Sequence, residues 1–156
     1  METLHVTAHE HVAVREATPE RLVVDVTYLP GGGMPPLHVH PSQAEAFEVR
    51  AGALRVKVGR EERVYRAGER FDVPAGTPHT MAPDGDAPVE AVWETAPAGR
   101  TLEWLRTLDG QTRAGRTGVL DLAPPLLAYE GTFRLAGPRP VTAVAVRLLA
   151  VVAKVR

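Results

Sequence analysis

Gly32–Gly52 reads GGMPPLHVHPSQAEAFEVRAG, and a later stretch, Gly68–His79, answers it with GERFDVPAGTPH. Residues two apart on a strand point to one face, so His38 and His40 project together. A turn through Pro41-Ser42 lets Glu45 on the next strand face them. His79, just past Pro74-x-Gly76, joins from a strand distant in sequence. Neutral imidazole nitrogens and a carboxylate oxygen bind divalent Fe, Mn, Ni, Cu or Zn at roughly 2.0–2.2 Å. Four protein ligands leave one or two positions open for substrate, water or dioxygen. An isolated H-x-H is more often an ordinary surface or core pair than a ligand pair. The turn residues spaced around this one give it weight.

Those residues carry a family resemblance. Gly32-x5-His38-x-His40-x4-Glu45-x6-Gly52 resembles the first cupin motif at every defined position. Gly68-x5-Pro74-x-Gly76-x2-His79 resembles the second, up to a closing Asn that is here Pro83. The resemblance spans about Tyr28–Trp93. It implies a small antiparallel jelly-roll β-barrel with one divalent transition metal ion inside, held by His38, His40, Glu45 and His79. The substitution at Pro83 bears on the local turn rather than on the metal.

Outward from the motifs, the chain to Thr95 is a series of short β-type runs. They are Leu4–Val14, Arg21–Leu29, Leu37–His40, Ala44–Arg50, Ala53–Val58, Arg63–Arg66, Arg70–Val73, His79–Ala82 and Val89–Glu94. Gly- and Pro-rich turns separate them, which predicts a sandwich or barrel and not a βαβ sheet. Beyond Pro97-Ala98-Gly99 the pattern becomes helical. Thr101–Leu108 reads as a short helix stopped by Asp109-Gly110, Pro124–Tyr129 as a second and Val141–Arg156 as a third. In the third, Val144, Leu148, Val151 and Val155 make an apolar face and Arg147 and Lys154 a basic one. The organisation expected is a β domain over residues 1–99 and a helical extension over 100–156, docked on the barrel or on a partner subunit.

Composition narrows the function classes. The 44% apolar and 24% charged content suits one soluble domain, and a net charge of −1 gives no field to recruit nucleic acid. Residues 1–99 carry 9 Lys+Arg against 15 Asp+Glu, and residues 100–156 carry 9 against 4. A basic tail after an acidic body fits docking between the two. Cysteine is absent, so a metal site must use imidazole and oxygen. No signal peptide or membrane span is visible, so a cytoplasmic protein without membrane or nucleic-acid partners is expected.

Alternation puts Phe47 on Glu45's face and Met81 on His79's, as pocket walls. Tyr28 and Gln43 are the polar candidates for touching substrate. No spare His or carboxylate stands near the motif as a general base, which leaves Glu45 itself, or a metal-bound hydroxide, for that role. His5, His9 and His11 make a second histidine row without turn chemistry or a carboxylate at family spacing. An edge strand or subunit interface suits it better than a metal. Trp93 and Trp104 read as packing residues, with Trp104 also a candidate for a subunit contact. Barrel edges need covering, so a homodimer is expected. Three functions fit: a dioxygenase-like metal enzyme acting on a small organic molecule, a redox-neutral isomerase or lyase, and a ligand-sensing module.

Overall fold

The computed structural model describes residues 1–155. Its strands are β1 (Thr3–Thr7), β2 (Glu10–Ala17), β3 (Leu22–Tyr28), β4 (His38–Val39), β5 (Ala44–Ala51), β6 (Ala53–Val58), β7 (Glu61–Arg66), β8 (Arg70–Val73), β9 (His79–Pro83), β10 (Val89–Ala96) and β11 (Arg134–Leu135). Helices α1 (Thr101–Arg113), α2 (Val119–Ala128) and α3 (Arg139–Val155) complete it. The strands form two antiparallel sheets, ordered β1-β2-β3-β10-β5-β8 and β11-β4-β9-β6-β7. The ladders do not close, so the expected barrel is an open pair of sheets sharing one core.

Alternation builds that core. β3 and β5 bury every second residue, including Val24, Val26, Phe47 and Val49, and β6 does the same with Leu54 and Val56 from the other sheet. Phe47 stacks between Phe71 at 4.8 Å and Trp93 at 6.0 Å. Gly52, at the β5–β6 turn, has φ 78°, and a Cβ there would meet the Pro88 carbonyl at 2.6 Å. Only glycine fits such a place. Pro83 ends β9 opposite Leu54, and the turn after it is held by Asp84, whose N–H donates to Ala53 and whose carboxylate accepts from Arg55. The turn survives without the family's Asn.

Several sequence expectations need correction. Leu4–Val14 is two strands, β1 and β2, folded at Ala8-His9 into a hairpin. The first helix does not stop at Asp109-Gly110 but runs on to Arg113. Asp109 is held in place there, accepting from the His5 backbone N–H at 2.7 Å and from Arg113 at 2.8 Å, and Thr112 donates to the Val6 carbonyl at 3.0 Å. These contacts with β1 outweigh the roughly 1 kcal/mol that a helical glycine costs. The second helix begins at Val119, where Asp121 accepts from the Gly118 N–H at 3.2 Å, so Pro124 and Pro125 lie inside it. The third begins at Arg139, and the last residue expected in it lies outside the described residues. No helix is long and apolar enough to cross a membrane among the described residues.

The extension is part of the body. α1 lies along β1, and β11 adds to the second sheet beside β4, with Arg134 opposite Val39 and Leu135 opposite His38.

Candidate metal centre

β4 pairs with β9 so that His38 lies directly opposite His79. The Gly76 N–H donates to the His40 carbonyl at 2.8 Å, fixing the two motifs against each other. His38, His40 and His79 thereby bring one ring nitrogen each to within 4.8 Å of the others. Glu45 closes the group from β5. Its Oε1 is 3.4 Å from His40 Nε2 and its Oε2 is 2.8 Å from His79 Nε2. Burial of His40, Glu45 and His79 is nearly complete.

The tautomers follow from the neighbours. His38 Nδ1 lies 3.2 Å from the Pro36 carbonyl, His40 Nδ1 2.8 Å from that of Thr132, and His79 Nδ1 2.9 Å from that of Thr77. A carbonyl only accepts, so each Nδ1 carries a proton, and a ring that is neutral turns an Nε2 lone pair inward. With all three rings neutral, three lone pairs and a carboxylate converge. Glu45 Oε2 has no donor if His79 is neutral, despite the short approach. A second proton on His79 or a bound cation resolves this clash, and a divalent ion resolves all of it at once. The donor set therefore fits such a metal, with the carbonyls in the orienting role usual behind ligating imidazoles.

Charge states in the metal-free protein agree. Burial, then the neighbouring His79 and His40, push His38 down to about 3. Burial likewise lowers His40, against the pull of Glu45. Burial alone would raise Glu45, but His79, His40 and His38 outweigh it and hold the carboxyl below its usual range. Burial would lower His79, but Glu45 outweighs it and the ring sits above its usual value. Both directions favour a carboxylate on Glu45 beside a protonated His79.

Above the histidines lies a cavity of about 180 Å³. Tyr28, Phe47 and Met81 line it with His38, His40, Glu45 and His79, as alternation places them. The Tyr28 hydroxyl donates to Met81 Sδ at 3.3 Å across the two sheets. Burial, then Glu10 and Glu45, keep this phenol protonated, well above its usual pKa.

Gln43 is elsewhere. Its side chain is buried under α1, where Nε2 donates to the Ala98 carbonyl at 3.0 Å and to Thr101 Oγ1 at 2.8 Å, so it pins the helix instead of facing a ligand. The histidine row also divides. His5 and His11 pair across the hairpin with rings 4.3 Å apart, whereas His9 sits in the turn, 3.1 Å from the Pro30 carbonyl.

Other lining residues lie outside the motifs. From α1 come Trp104, Leu105 and Leu108, and from the segment after α2 come Phe133 and Leu135. Phe133 stacks on His38 at 4.6 Å and on Trp104 at 4.9 Å. Glu10, between two histidines that drew attention for themselves, lines the cavity from β2 without a hydrogen-bond or ion-pair partner among the described residues. Burial, then the charge of Glu45, raise its carboxyl to about 7. The spare carboxylate that sequence reading found missing is thus present.

Comparison with known proteins agrees with this architecture. Residues 24–94 match the cupin domain family. That match and the cupin structural neighbours support a cupin domain in this part of the chain. Among solved structures, this protein is similar to KdgF from Halomonas sp., at 20% identity and TM-score 0.59, covering 65% of this chain and 93% of that one. An RmlC-like cupin from Shewanella frigidimarina is alike at 19% and 0.58, over 65% and 87% of the two chains. A sugar phosphate isomerase from Silicibacter pomeroyi matches at 21% and 0.52, over 59% and 62%. At these identities the likeness shows the fold alone. No curated protein matches the chain in sequence.

Proposed function

We propose that this protein is a mononuclear metal-dependent enzyme, dioxygenase-like, acting on a small, uncharged and largely apolar organic molecule. The observation that carries the reading is the meeting of three imidazoles, with the Glu45 carboxylate 2.8 Å from one of them, on the floor of an otherwise aromatic and aliphatic cavity. His38, His40, Glu45 and His79 would hold the ion. When bound, it would supply Lewis-acid polarisation and, for a redox-active metal, one-electron chemistry.

What the chain itself does follows from the lining. An engineered apolar cavity of roughly 150 Å³ accepts benzene, so about 180 Å³ suits one ring with small substituents. Trp104, Phe133, Phe47 and Trp93 would hold such a ring and exclude water. None of the lining residues is Lys or Arg, so an anionic substrate would find no counter-charge from the side chains, only that of the ion itself. Glu10, poised near neutrality, is a better acid–base group than Glu45, whose carboxylate is clamped by His79.

That last point favours a second reading, redox-neutral proton transfer at the same site. Reconstitution with Fe(II) under anaerobic conditions, then oxygen-electrode assays on neutral phenols, diketones and thiols, separates the two. Dioxygen consumption that depends on both Fe(II) and substrate supports the first reading. Substrate turnover without dioxygen consumption moves the assignment to the second. Failure of the protein to take up any divalent metal overturns both.

A further inference from the structure

Helix α3 is apolar on two sides. One side, through Ala143, Val146 and Ala150, packs toward α2. The other leaves Val141 (63% exposed), Val144 (55%), Leu148 (63%), Val151 (62%) and Val155 (85%) in solvent, with Val152 (52%) beside them. A helix apolar all round is normally buried. The spacing of the exposed five, three then four then three then four, is that of the a and d positions of a heptad repeat.

We propose that this face of α3 is the subunit interface of a two-fold homodimer, in which each α3 packs its Val141–Val155 seam against that of a second copy. Three observations favour a second copy over other occupants. A 3–4 seam is self-complementary, as an isologous interface requires. The six exposed side chains present on the order of 600 Å² of apolar surface per chain, near the roughly 800 Å² per partner of a standard interface. The flanks also permit pairing: Arg147 and Lys154 both take g positions, and in a parallel pair Arg147 meets the e position, Val152, of the second copy and not another cation. The proposal is independent of the metal and its chemistry.

The chain has no cysteine, which makes one introduced thiol a clean proximity probe. In Leu148→Cys the two thiols would lie close to the two-fold axis whichever way the helices run. The full-length variant is expected to be trapped as a covalent dimer by a short bis-maleimide. Arg60→Cys, in the exposed β6–β7 turn, is expected to stay uncoupled. Sedimentation of the wild-type chain at micromolar concentration is expected to show a dimer. Val144→Glu with Val151→Glu should weaken it by roughly a hundredfold or more in dissociation constant. A monomeric wild type overturns the proposal. So does a dimer that Leu148→Cys fails to cross-link. A monomer that floats with vesicles of equal parts phosphatidylcholine and phosphatidylserine overturns it too, and makes the face a membrane-binding one.

Discussion

The floor and the roof of the cavity are made in different ways. The floor is two motifs whose polar side chains stand at fixed distances from turn-forming residues, so that His38, His40, Glu45 and His79 meet because β4, β5 and β9 turn where Gly and Pro require. The roof, made by Trp104, Leu105, Leu108 and Phe133, comes from the extension and has no motif. It exists only because α1 lies along β1 and β11 pairs with β4. The difference teaches that the histidine cluster is brought together by local signals, whereas the rest of the cavity lining, with the Thr132 and Phe133 contacts to His40 and His38, depends on docking.

The largest expected effect strikes the floor alone. His79→Ala removes one ligand and leaves the Glu45 carboxylate without its partner. Metal affinity should fall by more than about a hundredfold, read by competition with a chelating dye. Retention of a full equivalent of metal by this variant would remove the floor from the comparison.

Next comes the roof. Trp104→Ala empties a buried site beneath Tyr129 and Phe133, and should cost about 3–5 kcal/mol in denaturant unfolding. If floor and roof are built separately, the stoichiometry of metal in the folded fraction stays at the wild-type level. A joint loss would show them to be one cooperative unit.

The third test uses Glu10, which lies between them. In metal-free protein its folded pKa, about 7, exceeds the ordinary 4.5. The native state therefore holds the extra proton. The contribution is full below about pH 4.5, and stability falls as pH rises toward 7, by about 3 kcal/mol in all. Glu10→Gln should abolish that slope and leave the variant more stable than wild type at pH 8. A slope unchanged in the variant would assign it to other groups.

The smallest effect is at the hinge between the regions. Gln43→Ala removes both hydrogen bonds to the start of α1 and should cost about 1–2 kcal/mol in thermal unfolding. A change in ligand affinity greater than the change in stability explains would return Gln43 to the cavity.

The same contrast decides what was legible in the sequence. The meeting of His38, His40 and His79, with Glu45 beside them, was readable because strand alternation and turn chemistry act over a few residues. Phe47 and Met81 followed from the same rule. Gln43 was misread, since its face depends on where α1 docks. Glu10 was hidden because Leu4–Val14 looked like one strand, and only the hairpin at Ala8-His9 and the pairing of Glu10 with Tyr28 bring it to the cavity. Asp109 and Gly110 carry a stop signal that tertiary hydrogen bonds override. Phe133 had no local signal, as nothing in its neighbourhood points to His38.

The Thr132 carbonyl that orients His40 has a bearing on how the molecule matures. On the ribosome, both motifs emerge more than fifty residues before Thr132. During that interval the His40 ring has no carbonyl to fix its tautomer, and the face of His38 is bare of Phe133. The surroundings of the histidine cluster are therefore completed late in biosynthesis, when the last third of the chain wraps back over the first.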